Sequence, residues 1–253
     1  MSPTAVLPDI EALRERSRNG PSVVHACEPF LSPANAFALA VAAGEAHVAG
    51  AAAGELKLYV DGAQITDRLA QLLPRTSDHD VAGYERRLSR EAGARSFTLY
   101  ISAAQAYSPP LFAAVTRVLA GRDAKREWAE FELFVGRYGV TPAGIHVEDC
   151  SNVHFVIDGA KTIHVWPPDH WNPDIAGGET VDRAASSGRR EHYLSNVDPA
   201  THVADARSLR GRRGDVLCWP AGHWHVGQAD ELSIAVNLAV YESSDDAQDE
   251  DIH

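Results

Sequence analysis

VTPAGIHVEDCSNVHFVIDGAKTIHVWPP, residues 140–168, decides the fold. NVHFVI and KTIHVW are short runs of β-branched and aromatic residues, and the Asp158-Gly159 pair between them is a hairpin signal. Working outward, EFELFVGRY precedes the stretch, while GDVLCWP and LSIAVNLAVYE follow it, separated by Gly, Pro and Asp. Many short strands at near-regular spacing predict a mainly β sandwich or barrel from about residue 130 onward. Upstream the pattern is mixed. Helical periodicity covers about 9–18, 33–49, 64–73 and 109–120, with Asp9 and Ser32 as N-caps and Pro33 and Pro109 in first turns. ELKLYVDG (55–62) and SFTLYIS (96–102) alternate like strands. Segment 167–213 is long, polar and aperiodic, which predicts a functional or mobile loop.

The chain has 253 residues, enough for one large domain that buries its core without staples. Its formal net charge is −12. Glu242, Asp245, Asp246, Asp249, Glu250 and Asp251 supply half of that charge, so 242–253 reads as a solvated, disordered acidic tail. The remaining acidic excess argues against a nucleic-acid binder and against a polybasic membrane patch. Cys27, Cys150 and Cys218 form no CxxC pair, hence no disulfide framework and no zinc ribbon. No signal-peptide core and no 18-residue apolar run occurs, so a soluble protein of a reducing cytoplasm is expected. Among the basic residues only Lys57, Lys125 and Lys161 are lysines; the rest are arginines. Any lysine inside a motif therefore stands out.

Of twelve histidines, only His146 has a carboxylate two residues on, Glu148. On an extended segment that spacing puts both side chains on one face, able to grip a single ion. A second histidine segment, PAGHWHVG (220–227), follows the strand GDVLCW directly. Two imidazoles and one carboxylate bound on one face leave three positions open on a six-coordinate metal, the arrangement of non-haem Fe(II) oxygenases. His146, Glu148 and one of His223 or His225 supply that set.

At this point the residues resemble a known family. VTPAGIHVED, NVHFVIDGAKTIHVWPP, SNVD, GDVLCWPAGHWHVG and SIAVNLAVY are similar, in order and in internal spacing, to the JmjC and cupin-like 2-oxoglutarate oxygenases. The likeness covers about 136–241. It implies a double-stranded β-helix (jelly-roll, cupin-like) with an N-terminal mixed α/β region. The implied layout is an N-terminal segment, 1–125, packing on the barrel, a catalytic core, 126–241, and the tail.

Position by position, the resemblance implies that His146, Glu148 and His225 ligate Fe(II). His225 takes the family's terminal histidine slot, while His223, on the same side of the strand, stays a rival ligand. Lys161 falls where the family's lysine binds the distal carboxylate of 2-oxoglutarate, a buried anion that needs a cation. Thr141 matches a threonine that hydrogen-bonds the same carboxylate, although it lies five residues before His146 instead of three. Asn152 and Asn237 match asparagines near metal and cosubstrate; the alternative for each is a satisfied polar residue in a strand.

Weaker candidates are His154, Tyr100 and Tyr138, each either a pocket residue or a core side chain. Trp166, Trp219 and Trp224 read as packing residues, Cys150 as a wall residue, and Asp198 and Asp215 as turn residues. Arg183, Arg189 and Arg190 are loop arginines that either touch a substrate or face solvent.

The implied activity is hydroxylation of a C–H bond in a peptide or protein side chain, a ribosomally made precursor among the options, using Fe(II), 2-oxoglutarate and O2. Glu148 leaves no vacant halide position, which favours hydroxylation over halogenation, while demethylation stays open. The matched block ends near residue 241, which implies no room for the C-terminal winged-helix or dimerisation module of ribosomal-protein hydroxylases. The oligomeric state is left open, a homodimer included. Rival readings are a hydroxylase of a free amino acid or small molecule, a non-catalytic metal- or ligand-binding cupin, and a zinc hydrolase.

Overall fold

The computed structural model describes residues 9–27, 30–120, 128–172, 179–184, 189–194 and 196–241, with the backbone alone for 179–184, 189 and 190. The acidic tail, 242–253, lies outside the described residues. In chain order the elements are α1 (Ile10–Arg18), β1 (Ser22–Val24), α2 (Pro33–Val48), β2 (Leu56–Val60), β3 (Ala63–Ile65), α3 (Leu69–Leu72), α4 (Val81–Ala92) and β4 (Phe97–Ile101). They continue as α5 (Pro109–Val118), β5 (Trp128–Tyr138), β6 (Ile145–Glu148), β7 (Cys150–Asp158), β8 (Ala160–Trp166), β9 (Glu179–Ala184), β10 (Arg189–Leu194), β11 (Arg207–Arg212), β12 (Val216–Trp219) and β13 (Trp224–Tyr241).

β13 organises the molecule. Its second half, Ser233–Tyr241, pairs with β5 on one side and its residues from Ile234 onward with β7 on the other, inside the antiparallel order β1-β12-β7-β13-β5-β4-β2-β3. Its first half runs between β8 and β6 in a second set of strands, β9-β10-β6-β13-β8-β11. The register shift between Ala229 and Ser233 marks where the strand passes from one set to the other. The fold is mainly β. Because β4 pairs with β5 and β1 with β12, the main sheet also runs unbroken into the N-terminal half.

Strand alternation then divides the main sheet into two faces. Phe131, Leu133 and Val135 of β5, Val153, Phe155 and Ile157 of β7, and Val236, Leu238 and Val240 of β13 join one buried core with residues of α1, α2 and α5. The intervening residues, Glu130, Glu132, Phe134, Asn152, His154 and Asn237, face a cavity instead. Truncating a core residue such as Leu133 costs about 2–5 kcal/mol through lost burial plus the void left behind.

The Asp158-Gly159 turn joins β7 to β8 as expected, and Gly159 has a φ of +67°. A Cβ there would sit 2.2 Å from the Leu232 carbonyl oxygen, so only glycine fits. Asp9 and Ser32 do cap α1 and α2, accepting from Ala12 N–H and Asn35 N–H.

Three expectations need correction. The helix expected over 64–73 is instead β3 followed by the single turn α3, because Asp61-Gly62 closes a β2–β3 hairpin. The twelve-residue helix α4, capped by Asp80 accepting from Gly83 N–H, lies in a stretch not read as helical. Segment 167–213 is not one long loop: it contains β9, β10 and β11. β11 buries only Leu209 and Gly211 between exposed arginines, so its polarity hid its pairing with β8. Among the described residues no helix is long and apolar enough to cross a membrane.

Candidate metal centre

β6 and the first half of β13 meet with His146 and His225 in register. Glu148 lies two residues beyond His146, on the same face of β6. One ligand atom from each of the three lies within 4.8 Å of the others. Nε2 of His146 is 3.9 Å from Oε1 of Glu148, and Nε2 of His225 is 3.8 Å from Oε2.

The second nitrogen of each ring faces a backbone carbonyl: His146 Nδ1 lies 3.0 Å from Gly144 O, and His225 Nδ1 lies 3.0 Å from His223 O. A carbonyl only accepts, so Nδ1 carries the proton in both rings and both Nε2 lone pairs are left for a shared ion. Burial, and next the neighbouring His146, holds the His225 imidazole well below its ordinary range, hence neutral, as a metal ligand must be. Cys150 is buried, and burial together with the Glu148 charge pushes its thiol well up. It therefore stays protonated and donates to Glu148 Oε2 at 3.3 Å. The cysteine read as a wall residue thus also positions the carboxylate. His223 is outside the convergent group, its Nδ1 facing the Ala221 carbonyl at 3.3 Å.

A cavity of about 700 Å³ opens over this trio, and Lys161, Thr141, Asn152 and Asn237 also line it. Lys161 is only 3% exposed. Its Nζ donates to the Tyr138 hydroxyl and lies 4.4 Å from the Tyr138 ring centre and 5.5 Å from that of Phe134. Burial pushes its amine down to about 7. No carboxylate among the described residues pairs with it, so the cavity holds a desolvated amine that a bound anion would charge.

Thr141 is already occupied. Its hydroxyl accepts from Gly227 N–H at 3.0 Å and donates to Gly227 O at 2.8 Å, while its own N–H donates to the same carbonyl. Its single hydroxyl proton therefore goes to backbone, not to a carboxylate. A tight turn, with Gly144 N–H donating to Thr141 O, absorbs the two extra residues before His146. Asn237 donates to both Asn152 Oδ1 (2.6 Å) and Glu132 Oε2 (3.0 Å), and Asn152 donates to the Cys150 carbonyl (3.2 Å). The two asparagines thus tie β7, β13 and β5 together beside the trio.

Two glutamates on this wall, Glu130 and Glu132, were not singled out from sequence. Both are buried at 7% exposure. Glu132 accepts from Tyr100 Oη at 2.6 Å, and burial with the charges of Glu148 and Glu130 pushes it up to about 8. The available signal was two acids alternating with Phe131 and Leu133, a pattern that also describes an ordinary solvent-facing edge. Tyr193 on β10 stacks on His146, with ring centres 5.4 Å apart at 23°. It was hidden because its strand was.

The weaker candidates separate cleanly. Tyr100 and His154 line the cavity, with His154 buried and pushed down to about 4, hence neutral. Trp219 also lines it, 5.1 Å from the His225 ring, whereas Trp166 and Trp224 pack with Ile145, Leu194 and Val226. Asp198 and Asp215 are turn residues, accepting from Ala200 and Arg212 N–H. The side chains of Arg183, Arg189 and Arg190 lie outside the described residues.

No protein-family model matches the chain, and no curated protein matches it. Among solved structures, the X-ray structure of Escherichia coli ycfD matches at 16% identity and a TM-score of 0.49, covering 95% of this chain and 54% of that one. A second structure, of YcfD, a ribosomal oxygenase from Escherichia coli, in complex with cobalt and 2-oxoglutarate, matches at 14% identity and a TM-score of 0.47, covering 95% and 53%. The chain thus spans about half the length of these structures.

Proposed function

We propose that this protein is an Fe(II)- and 2-oxoglutarate-dependent oxygenase that hydroxylates a C–H bond of a peptide or protein side chain. The observation that carries the reading is the convergence of two imidazole Nε2 atoms and one carboxylate in a cavity that also holds a buried lysine paired with no carboxylate among the described residues. The donor set suits a divalent iron: two imidazoles, each with Nε2 turned toward the others, and one carboxylate. His146, Glu148 and His225 would hold it. Lys161 would take the far carboxylate of 2-oxoglutarate, whose charge offsets the desolvated amine. When bound, the iron would let O2 act as the oxidant, one oxygen atom going into succinate as 2-oxoglutarate loses CO2 and the other into the C–H bond.

The chain's own residues bind, orient and shield. The Nδ1–carbonyl contacts fix both histidine rings before any ion arrives, and the Cys150 thiol does the same for Glu148. Trp219, Phe134 and Ile163 wall the cavity with apolar surface that limits stray water. The space continues past Tyr59, Tyr100 and Trp128, more room than a small dicarboxylate needs. Glu130, with the protonated Glu132 beside it, makes that extension suit a neutral or basic peptide segment. We read the two strand sets sharing β13 as a double-stranded β-helix carrying the site across 126–241, with 1–125 packed on it. The free thiols of Cys27, Cys150 and Cys218 suit a reducing compartment.

Succinate release from 2-oxoglutarate, measured against a peptide library, tests this activity. Release that requires Fe(II) and O2, with a peptide product gaining one oxygen atom, is the expected result. A protein that binds iron and turns over neither peptide nor 2-oxoglutarate alone would instead be a non-catalytic cupin.

A further inference from the structure

We propose that His170, His202 and Asp205 form a second metal site, built for zinc, that clamps the base of the arm carrying β9 and β10. One ligand atom from each residue lies within 4.8 Å of the others, and none of the three belongs to the site described above. Asp205 N–H donates to the His202 carbonyl at 3.0 Å, a three-residue helical turn in which side chains at i and i+3 stack above one another. His170 reaches them from the turn after β8, where its N–H donates to Pro167 O at 3.1 Å.

Both ligand-bearing turns are fixed from beneath by indoles. Trp166 Nε1 donates to the His202 carbonyl at 3.2 Å, and Trp224 Nε1 donates to the Pro168 carbonyl at 3.1 Å. Trp166 and Trp224 are essentially unexposed, so these anchors are rigid. The His170 and His202 rings meet Trp171 edge-on, at 4.3 and 5.4 Å between centres, and Trp171 packs on both buried indoles. The cluster thus has an apolar floor, with the exposed Asp205 at its rim. No lysine or arginine among the described residues pairs with Asp205. Two imidazoles and one carboxylate supply three ligands of a tetrahedral set that zinc accepts readily, with solvent at the exposed Asp205 to supply the fourth.

Placement gives the site its role. Trp224 and His225 are consecutive on β13 and so point to opposite faces, which separates the zinc cluster from the catalytic trio. The segments holding His170 and His202 flank the arm from which β10 pairs with β6, setting Tyr193 opposite His146 and Glu191 opposite Glu148. Zinc across the base would hold β10 against β6, the strand that carries His146 and Glu148.

The test uses the full chain with His146, Glu148 and His225 all changed to Ala, so that only the second site can bind, and zinc alone as the probe. One equivalent of zinc per chain after dialysis, with a raised melting temperature, is expected. Adding His170→Ala and His202→Ala should remove both effects. Asp205→Asn, an exposed change that disturbs no packing, should weaken zinc by about tenfold or more while leaving the zinc-free melting temperature unchanged. The unmodified protein should take up two equivalents of metal. No zinc bound by the triple variant while it remains folded, or zinc uptake indifferent to Asp205→Asn, overturns the proposal. If the triple variant does not fold, the decision passes to unmodified protein against Asp205→Asn titrated with zinc against a competing chelator: one of two zinc affinities lowered about tenfold or more supports the site, and two unchanged affinities overturn it.

Discussion

Nε2 of His225 lies 3.8 Å from one oxygen of Glu148, while the other oxygen of that carboxylate lies 3.9 Å from Nε2 of His146. One carboxylate thus bridges two rings whose Nδ1 protons are committed to backbone. In the absence of an ion three lone-pair donors face one another, which is an unfavourable way to fill a protein interior. His225→Ala or Glu148→Ala should therefore lower iron affinity by at least about 100-fold, and His223→Ala should leave it nearly unchanged. Iron titration of the three variants checks this; equal losses for His223 and His225 would contradict it.

Lys161 sets a pH dependence. Its amine sits near 7 because burial disfavours the charge. A bound carboxylate stabilises the protonated form, so 2-oxoglutarate binding takes up a proton, and affinity should fall about tenfold per pH unit above 7. Calorimetry in two buffers of different ionisation heat measures the uptake directly. Lys161→Ala should abolish it and raise the 2-oxoglutarate KM by about 10–100-fold, the loss of one charge-assisted hydrogen bond.

The same residue affects stability without ligand, with the opposite slope. Between about 7 and the model-peptide lysine value near 10.4, the unfolded chain keeps the Lys161 proton and the folded chain does not. More protons bound in the unfolded state means that this group's contribution rises with pH across that window. Urea melts of the wild type and of Lys161→Met should differ by a constant, largest amount below pH 7 and converge between about pH 7 and pH 10.

Gly227 and Thr141 form a backbone-like pair. A Cβ on Gly227 would lie 2.7 Å from Thr141 Oγ1, so Gly227→Ala should destabilise the protein and disturb the lysine side chain packed beside it. Thr141→Val keeps the shape but leaves the Gly227 N–H without its partner, at a cost of about 1–3 kcal/mol. Its effect on the 2-oxoglutarate KM should be far smaller than that of Lys161→Ala.

In the N-terminal half, Arg87 binds Asp78 through Nε at 2.7 Å and through a second nitrogen at 2.9 Å, and also donates to the Leu73 carbonyl. The pair is buried, so Arg87→Ala leaves an uncompensated carboxylate and should cost about 3–5 kcal/mol. Thermal melting of that variant is the check.

How much was legible follows from where each signal sits. The strands of residues 128–166 and 224–241 were readable because core and cavity faces alternate with period two and turns punctuate them. Asp158-Gly159 could be placed from two letters. The site residues came from spacing and from scarcity, as with one of only three lysines. β11 was not legible, since a short strand rich in arginine buries only Leu209 and Gly211, and the letters of β9 (ETVDRA) and β10 (RREHYL) carry no apolar alternation. Tyr193 vanished with them. Glu130 and Glu132 were visible as letters, but only the third dimension shows that their face closes over a cavity. Thr141 shows the converse: its motif position was found, but its hydroxyl serves backbone.

The central claim is that one cavity holds iron and 2-oxoglutarate side by side. The most direct measurement is the visible metal-to-ligand charge-transfer absorption formed when Fe(II) and then 2-oxoglutarate are added without oxygen. The wild type should show the band, His225→Ala should lose it, and Lys161→Ala should need much higher 2-oxoglutarate to form it. Iron-loaded wild-type protein that shows no band at saturating 2-oxoglutarate would contradict it.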